Sequence, residues 1–178
     1  MRRPTAGDQD EFLRATMGAV DLVFNLSRRL TDSRQDAEDL VQDTFLRAFD
    51  AWTDHRRPMR VEPWLATICL NLARSRYRGR LRRPSEVPLE DWMADSRPSA
   101  DPERRAIEEL EHERLYRAIR ELSVDQRVAI TLVDLGGFST YEAAEVMGTP
   151  RGTVLSRLHR GRRALARLLG DPIEEVIR

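Results

Sequence analysis

Six arginines, Arg151, Arg157, Arg160, Arg162, Arg163 and Arg167, lie between Thr149 and Leu168 with no acid among them. A guanidinium is a planar fork of N–H donors that fits phosphate oxygens and the O6/N7 edge of guanine, so this density points to nucleic acid. A second group combines Asn71, Arg74 and Arg78, spaced to share one helical stripe with Thr67, and neighbouring Tyr77. Aromatic rings among guanidinium groups suit single-stranded or unstacked bases, at about 1–3 kcal/mol per stacked base. A third set is acidic: Asp36, Asp39 and Asp43 line up at helical spacing with Glu38 and Gln42 beside them. Such a row could meet a hard metal ion, yet carboxylates on one helix rarely wrap a cation, and no histidine or second acidic cluster completes a site. A surface for a basic partner and a plain solvated face are the two readings left.

Other chemistries find no residues. One cysteine, Cys69, cannot form an internal disulfide, and a lone thiol builds a zinc site only with several histidines nearby, of which the chain has three, so none is expected. No nucleophile–base arrangement or phosphate-binding glycine loop is present, so catalytic residues, metals and cofactors are all expected to be absent. The amino terminus, MRRPTAGDQDEF, has no apolar stretch. It is therefore expected to be neither a secretory signal nor a membrane span, which implies a cytoplasmic protein without membrane insertion.

The elements that must position these groups are helical. Hydrophobic residues make up 40% of the 178 and charged residues 34%, with few β-branched runs. Thirty arginines, with no lysine, balance thirty acids, but the charge is segregated. Residues 31–54 carry a net −5, 55–83 a net +8, 84–113 a net −7 and 149–168 a net +6. Two basic blocks set apart by an acidic one suggest two separate nucleic-acid-facing surfaces. Between them, RRPSEVPLEDWMADSRPSADPER holds four of the nine prolines and little periodicity, and reads as a linker. The expected architecture is all-α: two small helical domains, 1–80 and 106–178, joined by a flexible acidic linker over 81–105.

In the first half, Ala37, Leu40, Val41, Thr44, Phe45 and Ala48 form a buried face. Trp64, Leu65, Ile68, Cys69 and Leu72 form the apolar side of a following helix with Pro63 in its first turn. In the second, Ile107, Leu110, Leu115, Ala118, Ile119 and Leu122 mark an amphipathic helix. Ser123 with Gln126 and Ser139 with Glu142 are capping boxes, predicting helices that start near 124 and 140. The second of these runs to Gly148, after which Thr149 offers a cap and Pro150 a first-turn residue for a longer basic helix. A short helix, a glycine turn and a basic helix make a helix-turn-helix, whose second helix enters the major groove. There Val154, Leu158, Gly161, Leu165 and Leu168 form the buried stripe. Arg151, Leu155, Ser156 and His159 become candidates for base edges, and Arg157, Arg160, Arg162 and Arg163 candidates for phosphates.

Taken in order, DAEDLVQDTFLRAF, PWLATICLNLARSRYR and LSVDQRVAITLVDLGGFSTYEAAEVMGTPRGTVLSRLHRGRRAL resemble the extracytoplasmic-function (ECF) sigma factors of bacterial RNA polymerase. The resemblance implies a non-enzymatic specificity subunit, responsive to stress and held by an anti-sigma factor. It assigns Asp36, Glu38, Asp39, Gln42, Asp43 and Leu46 to the clamp helices of the largest polymerase subunit. It gives Arg56, Arg57, Arg60, Asn71, Arg74, Tyr77 and Arg78 to the minus-ten promoter element. It places Arg151, Thr153, Leu155, Ser156, Arg157, His159, Arg160 and Arg163 on the minus-thirty-five element, with the second domain resting on the polymerase flap. The sequence departs from the family at Leu155, where a basic residue is common, and Arg151 supplies the charge instead.

Two other functions fit parts of the pattern. A stand-alone helix-turn-helix regulator would grip duplex DNA without polymerase. A nuclease or recombinase bearing a helix-turn-helix would use Asp36, Asp39 and Asp43 as a metal site, and needs further clustered groups that the first half lacks.

Overall fold

A computed structural model describes residues 5–54, 57–82 and 102–170, and every regular element among them is helical. They are α1 (Ala6–Thr16), α2 (Val20–Leu30), α3 (Arg34–Thr53), α4 (Val61–Arg82), α5 (Pro102–Arg120), α6 (Val124–Ile130), α7 (Thr140–Met147) and α8 (Arg151–Leu169). Most of the linker expected over 81–105 lies outside the described residues.

Helix starts follow the side chains able to satisfy orphan amides. Ser123 and Ser139 accept from the Gln126 and Glu142 amides, and those two side chains answer the serine backbone, so both capping boxes exist where the spacing predicts them. Thr5 with Asp8 caps α1 the same way, and Ser33 caps α3 through the Asp36 amide. The start of α8 differs from expectation. Pro150 is itself the cap residue and gives no side-chain bond, while Thr149 ends the preceding turn by donating its amide to Ala144 O at 3.1 Å. Gly148 makes that turn at φ 62°, a left-handed conformation that favours glycine. Beyond Ile130 the α6 ladder widens into a π-helical turn over Thr131–Leu135, a feature no periodicity announced.

The apolar faces bury as their spacing requires. Ala37, Leu40, Thr44 and Ala48 of α3 meet Leu65, Cys69 and Leu70 of α4 and Val23 and Leu26 of α2. Phe12 of α1 closes this bundle, its ring edge-on to Phe45, Phe49 and Trp52 at 6.5, 5.2 and 5.7 Å. In α5–α8, Ile119, Leu122, Val128, Ile130, Leu132, Val146, Met147, Val154 and Leu158 are buried. Gly161 lets α8 cross α6 closely, since a β-carbon there would lie 3.2 Å from the Ile130 side chain. Two positions depart from the expected stripes: Leu110 is 66% exposed and Leu168 48%, together flanking a shallow cleft between α5 and α8.

The buried cluster continues across both halves, with α2 packed on α6 and α4 on α7. Burying a helix end strands its last carbonyls, which no amide of the same helix can reach. Here donors from the opposite half reach them. Tyr116 Oη donates to Arg28 O at 3.1 Å and Arg127 Nη1 to Arg29 O at 3.0 Å, both near the end of α2; Arg74 Nη2 donates to Met147 O at 3.0 Å, the end of α7. A guanidinium there also meets the negative end of the helix dipole. The buried Arg28 guanidinium lies 4.9 Å over the Tyr116 ring. Crowding disfavours the charged forms: burial, then the neighbouring Arg28, lowers the Arg29 pKa to about 10, and burial, then Arg120, lowers that of Arg127.

Two substitutions separate these layers. Gly161→Leu forces a side chain into Ile130 and is expected to lower unfolding free energy by about 1–3 kcal/mol in a urea titration. Tyr116→Phe keeps the ring under Arg28 but removes the donor to a buried carbonyl, with an expected loss of about 1 kcal/mol in the same measurement.

Candidate functional site

The helix-turn-helix is assembled from α7, the Gly148 turn and α8. Val154, Leu158 and Gly161 turn α8 inward, so the other face is set outward by elimination. Arg151, Leu155, Ser156, His159, Arg160 and Arg163 are all exposed, and Thr153 is half-buried beside them. One-sided exposure of this kind is what a groove-entering helix needs. Leu155, 44% exposed, presents an apolar surface at a position flanked by polar ones.

Two of the six arginines do not belong to that outward set. Arg157 folds back across the motif, reaching Asp125 Oδ2 at 2.5 Å and Thr149 Oγ1 at 3.5 Å, with its side chain 17% exposed. Arg162 makes a two-pronged pair with Asp134, at 3.1 Å from Nε and 2.6 Å from Nη2, and that hydrogen bond raises its pKa. Both tie α8 to the α6 layer, unlike Arg160 and Arg163, with which they were grouped as phosphate candidates. Periodicity could not separate them from Arg160 and Arg163, because partners at positions 125 and 134 come from another helix.

Arg151 is held in a different manner. Its Nε donates to Thr140 Oγ1 at 2.9 Å and its guanidinium lies 4.3 Å over the ring of Tyr141, which is itself 65% exposed. Tyr141 carried no expectation from the sequence, since only the packing of α7 beside the start of α8 brings it to Arg151.

On α4, Asn71, Tyr77 and Arg78 are exposed, and Arg78 Nε donates to Arg74 O at 3.3 Å. Arg74, expected on the same surface, is instead at the junction with α7 through Met147 O. Arg60 likewise pairs with Glu142 at the start of α7. Arg57 pairs with Glu11 at 2.8 Å and sits 5.6 Å over Trp52. Arg56 lies outside the described residues.

The acidic row is divided by its neighbours. Asp36 is a capping residue, accepting from Ser33 Oγ at 2.9 Å. Asp43 takes Arg76 of α4 at 2.5 Å, a tie whose other nitrogen donates to Asp36 O at 3.2 Å. Glu38 accepts from Arg34 at 2.7 Å. Asp39, Gln42 and Leu46 remain exposed, Leu46 to 58%. Beside them Phe12, Leu13, Phe45, Leu46 and Phe49 line an apolar groove between α1 and α3. The contribution of α1 to this surface was not legible from α3 alone. Among the described residues no three His, Cys, Asp or Glu side chains are grouped to hold a metal, and no helix is long and apolar enough to cross a membrane.

Comparison with known proteins matches residues 19–83 to sigma-70 region 2 and residues 112–165 to sigma-70 region 4. The chain is 37% identical over 162 residues to the ECF RNA polymerase sigma factor SigE of Mycolicibacterium smegmatis, covering 88% of this chain and 61% of that protein. It is 34% identical to the ECF sigma factor SigM of Mycobacterium tuberculosis, covering 93% and 80%, and 30% identical to the RNA polymerase sigma-H factor of Pseudomonas aeruginosa, covering 99% and 95%. Among solved structures it resembles the sigma factor RpoE crystallised with the anti-sigma factor NepR from Bartonella quintana, at TM-score 0.73, 29% identity and coverage of 91% and 98%. It also resembles CnrH in complex with the cytosolic domain of CnrY, at TM-score 0.63, 27% identity and coverage of 91% and 89%.

Cys69 is fully buried with its sulfur 3.4 Å from Ser27 Oγ, and burial pushes its pKa above the ordinary thiol value. A raised pKa leaves even less thiolate at neutral pH than a free cysteine has. The folded protein at pH 7.5 should therefore react with Ellman's reagent at least about tenfold more slowly than the chain in 6 M guanidinium.

Proposed function

The chain belongs to the ECF family of sigma factors of bacterial RNA polymerase, and we propose that it acts as the promoter-specificity subunit of that enzyme in the cytoplasm. It carries no catalytic centre of its own in this reading and uses that of the polymerase. The observation that carries the reading is the helix-turn-helix whose outward face holds Arg151, Ser156, His159, Arg160 and Arg163 while Arg157 and Arg162 are paired with Asp125 and Asp134. Residues 106–178 form the module that reads the upstream, minus-thirty-five element. Arg160 and Arg163 anchor phosphates, and the amino-terminal turn of α8 approaches base edges.

Residues 1–80 form the second module, joined to the first by the acidic segment 81–105. Exposed Asn71, Tyr77 and Arg78 on α4 take unstacked bases of the minus-ten element. Arg60 and Arg74 join them only when α4 and α7 part, because both are engaged with α7 in the arrangement seen here. Promoter binding is thus coupled to separation of the two halves.

The clamp helices of the largest polymerase subunit dock on Asp39, Gln42 and Leu46 and the adjoining apolar groove. An exposed carboxylate beside an apolar patch suits a partner of basic and apolar character, the patch supplying affinity and the charge supplying register. The module of residues 106–178 rests on the flap. Relatives were crystallised with anti-sigma factors, which supports control of this chain by such a partner.

Three measurements test this. Asp39→Arg combined with Leu46→Glu should reduce retention by core RNA polymerase by about tenfold or more without lowering Tm, and unchanged retention would remove the docking face. Asp43 is unsuited to that test because its reversal also breaks the pair with Arg76. Arg160→Ala and Arg163→Ala should each weaken promoter binding by the holoenzyme evenly across sequences and flatten its salt slope by about one. Arg162→Ala should leave that slope unchanged and act mainly on stability.

A further inference from the structure

The first residue of α8 is a cation, where the partial positive charge of a helix start disfavours one. No acid in the first turn and no side chain from Pro150 compensates it. What holds Arg151 comes from α7: the Thr140 hydroxyl, taking Nε at 2.9 Å, and the Tyr141 ring, 4.3 Å below the guanidinium. Tyr141 is 65% exposed, so its ring is not placed there by core packing. The ring contact and the hydrogen bond together restrain the guanidinium at two points and engage Nε. The two terminal nitrogens, side by side at the exposed end, keep the donor pair that spans O6 and N7 of guanine.

We infer that Tyr141 is a positioning residue for promoter recognition: it presents Arg151 as a fixed fork to a guanine in the upstream element. This rests on the reading of α8 as the helix that enters the major groove. Leu155 has no polar group to offer a base edge, so the fixed Arg151 fork carries the base discrimination at this end of the helix. A long side chain free to choose rotamers loses entropy on binding, whereas a stacked one has already lost it, which converts the tyrosine into discrimination without any contact of its own with DNA.

The test is transcription by the reconstituted holoenzyme on a promoter library randomised through the upstream element. The chain, Arg151→Ala, Tyr141→Ala, Tyr141→Phe and the double variant Tyr141→Ala/Arg151→Ala are compared. Arg151→Ala should abolish preference for guanine at one position, a change of about tenfold or more. Tyr141→Ala should weaken preference at that same position by about two- to fivefold, with the salt slope unchanged, since no phosphate contact is lost. Tyr141→Phe should behave as the parent, and the double variant should be no worse than Arg151→Ala alone. Circular dichroism melts of Tyr141→Ala should match the parent, as an exposed ring predicts.

Loss at every position, a changed salt slope, or additive effects of the two single variants would overturn the positioning role. So would a Tyr141→Ala profile identical to the parent while Arg151→Ala loses its guanine. If Arg151→Ala itself leaves the profile unchanged in an active holoenzyme, the fault lies with the placement of α8 in the groove.

Discussion

An α-helix finishes on carbonyl oxygens that have no amide left to receive, and two such ends are where the halves of this protein meet. The packing of α2 on α6 and of α4 on α7 partly shields those oxygens from water. Left unpaired, each would cost about 1–3 kcal/mol. Tyr116, Arg127 and Arg74 supply the missing donors. Around them lie the Arg28 guanidinium 4.9 Å over the Tyr116 ring, Arg120 within 3.8 Å of Asp32, and guanidinium groups tolerated at close quarters although burial lowers their pKa.

The arginines consequently divide by what lies opposite them. Arg76, Arg157 and Arg162 face carboxylates from another helix and fasten layers together. Arg74 and Arg127 face carbonyls across the junction. Arg78, Arg151, Arg160 and Arg163 are exposed and available to something outside the chain. A neutral protein can therefore present strongly basic surfaces, because its acids neutralise particular arginines and leave others alone.

Much of this was legible in the sequence, and the line between what was and was not is a physical one. Capping boxes at Ser123 and Ser139 involve residues three apart, so local spacing located α6 and α7. The buried stripes of α3 and α4 were readable for the same reason. Leu110 and Leu168 matched the periodicity and are nevertheless exposed, because α5 and α8 leave a shallow cleft between them there instead of closing on each other. Pairings such as Arg162 with Asp134, Asp43 with Arg76 or Tyr141 with Arg151 depend on which helices become neighbours. No pattern along one helix contains that information, and it is those pairings that decide which candidate residues face outward.

The donors that join the two halves end on peptide oxygens, and this bears on how the protein can drift. Mutation can delete Tyr116, Arg127 or Arg74, but no codon change removes the carbonyl of Arg28, Arg29 or Met147, whatever side chain occupies those places. Half of every such contact is inherited with the backbone. A lineage that lost one donor could regain it from any residue long enough to reach the same oxygen, so the docking geometry can outlast the particular amino acids that now maintain it.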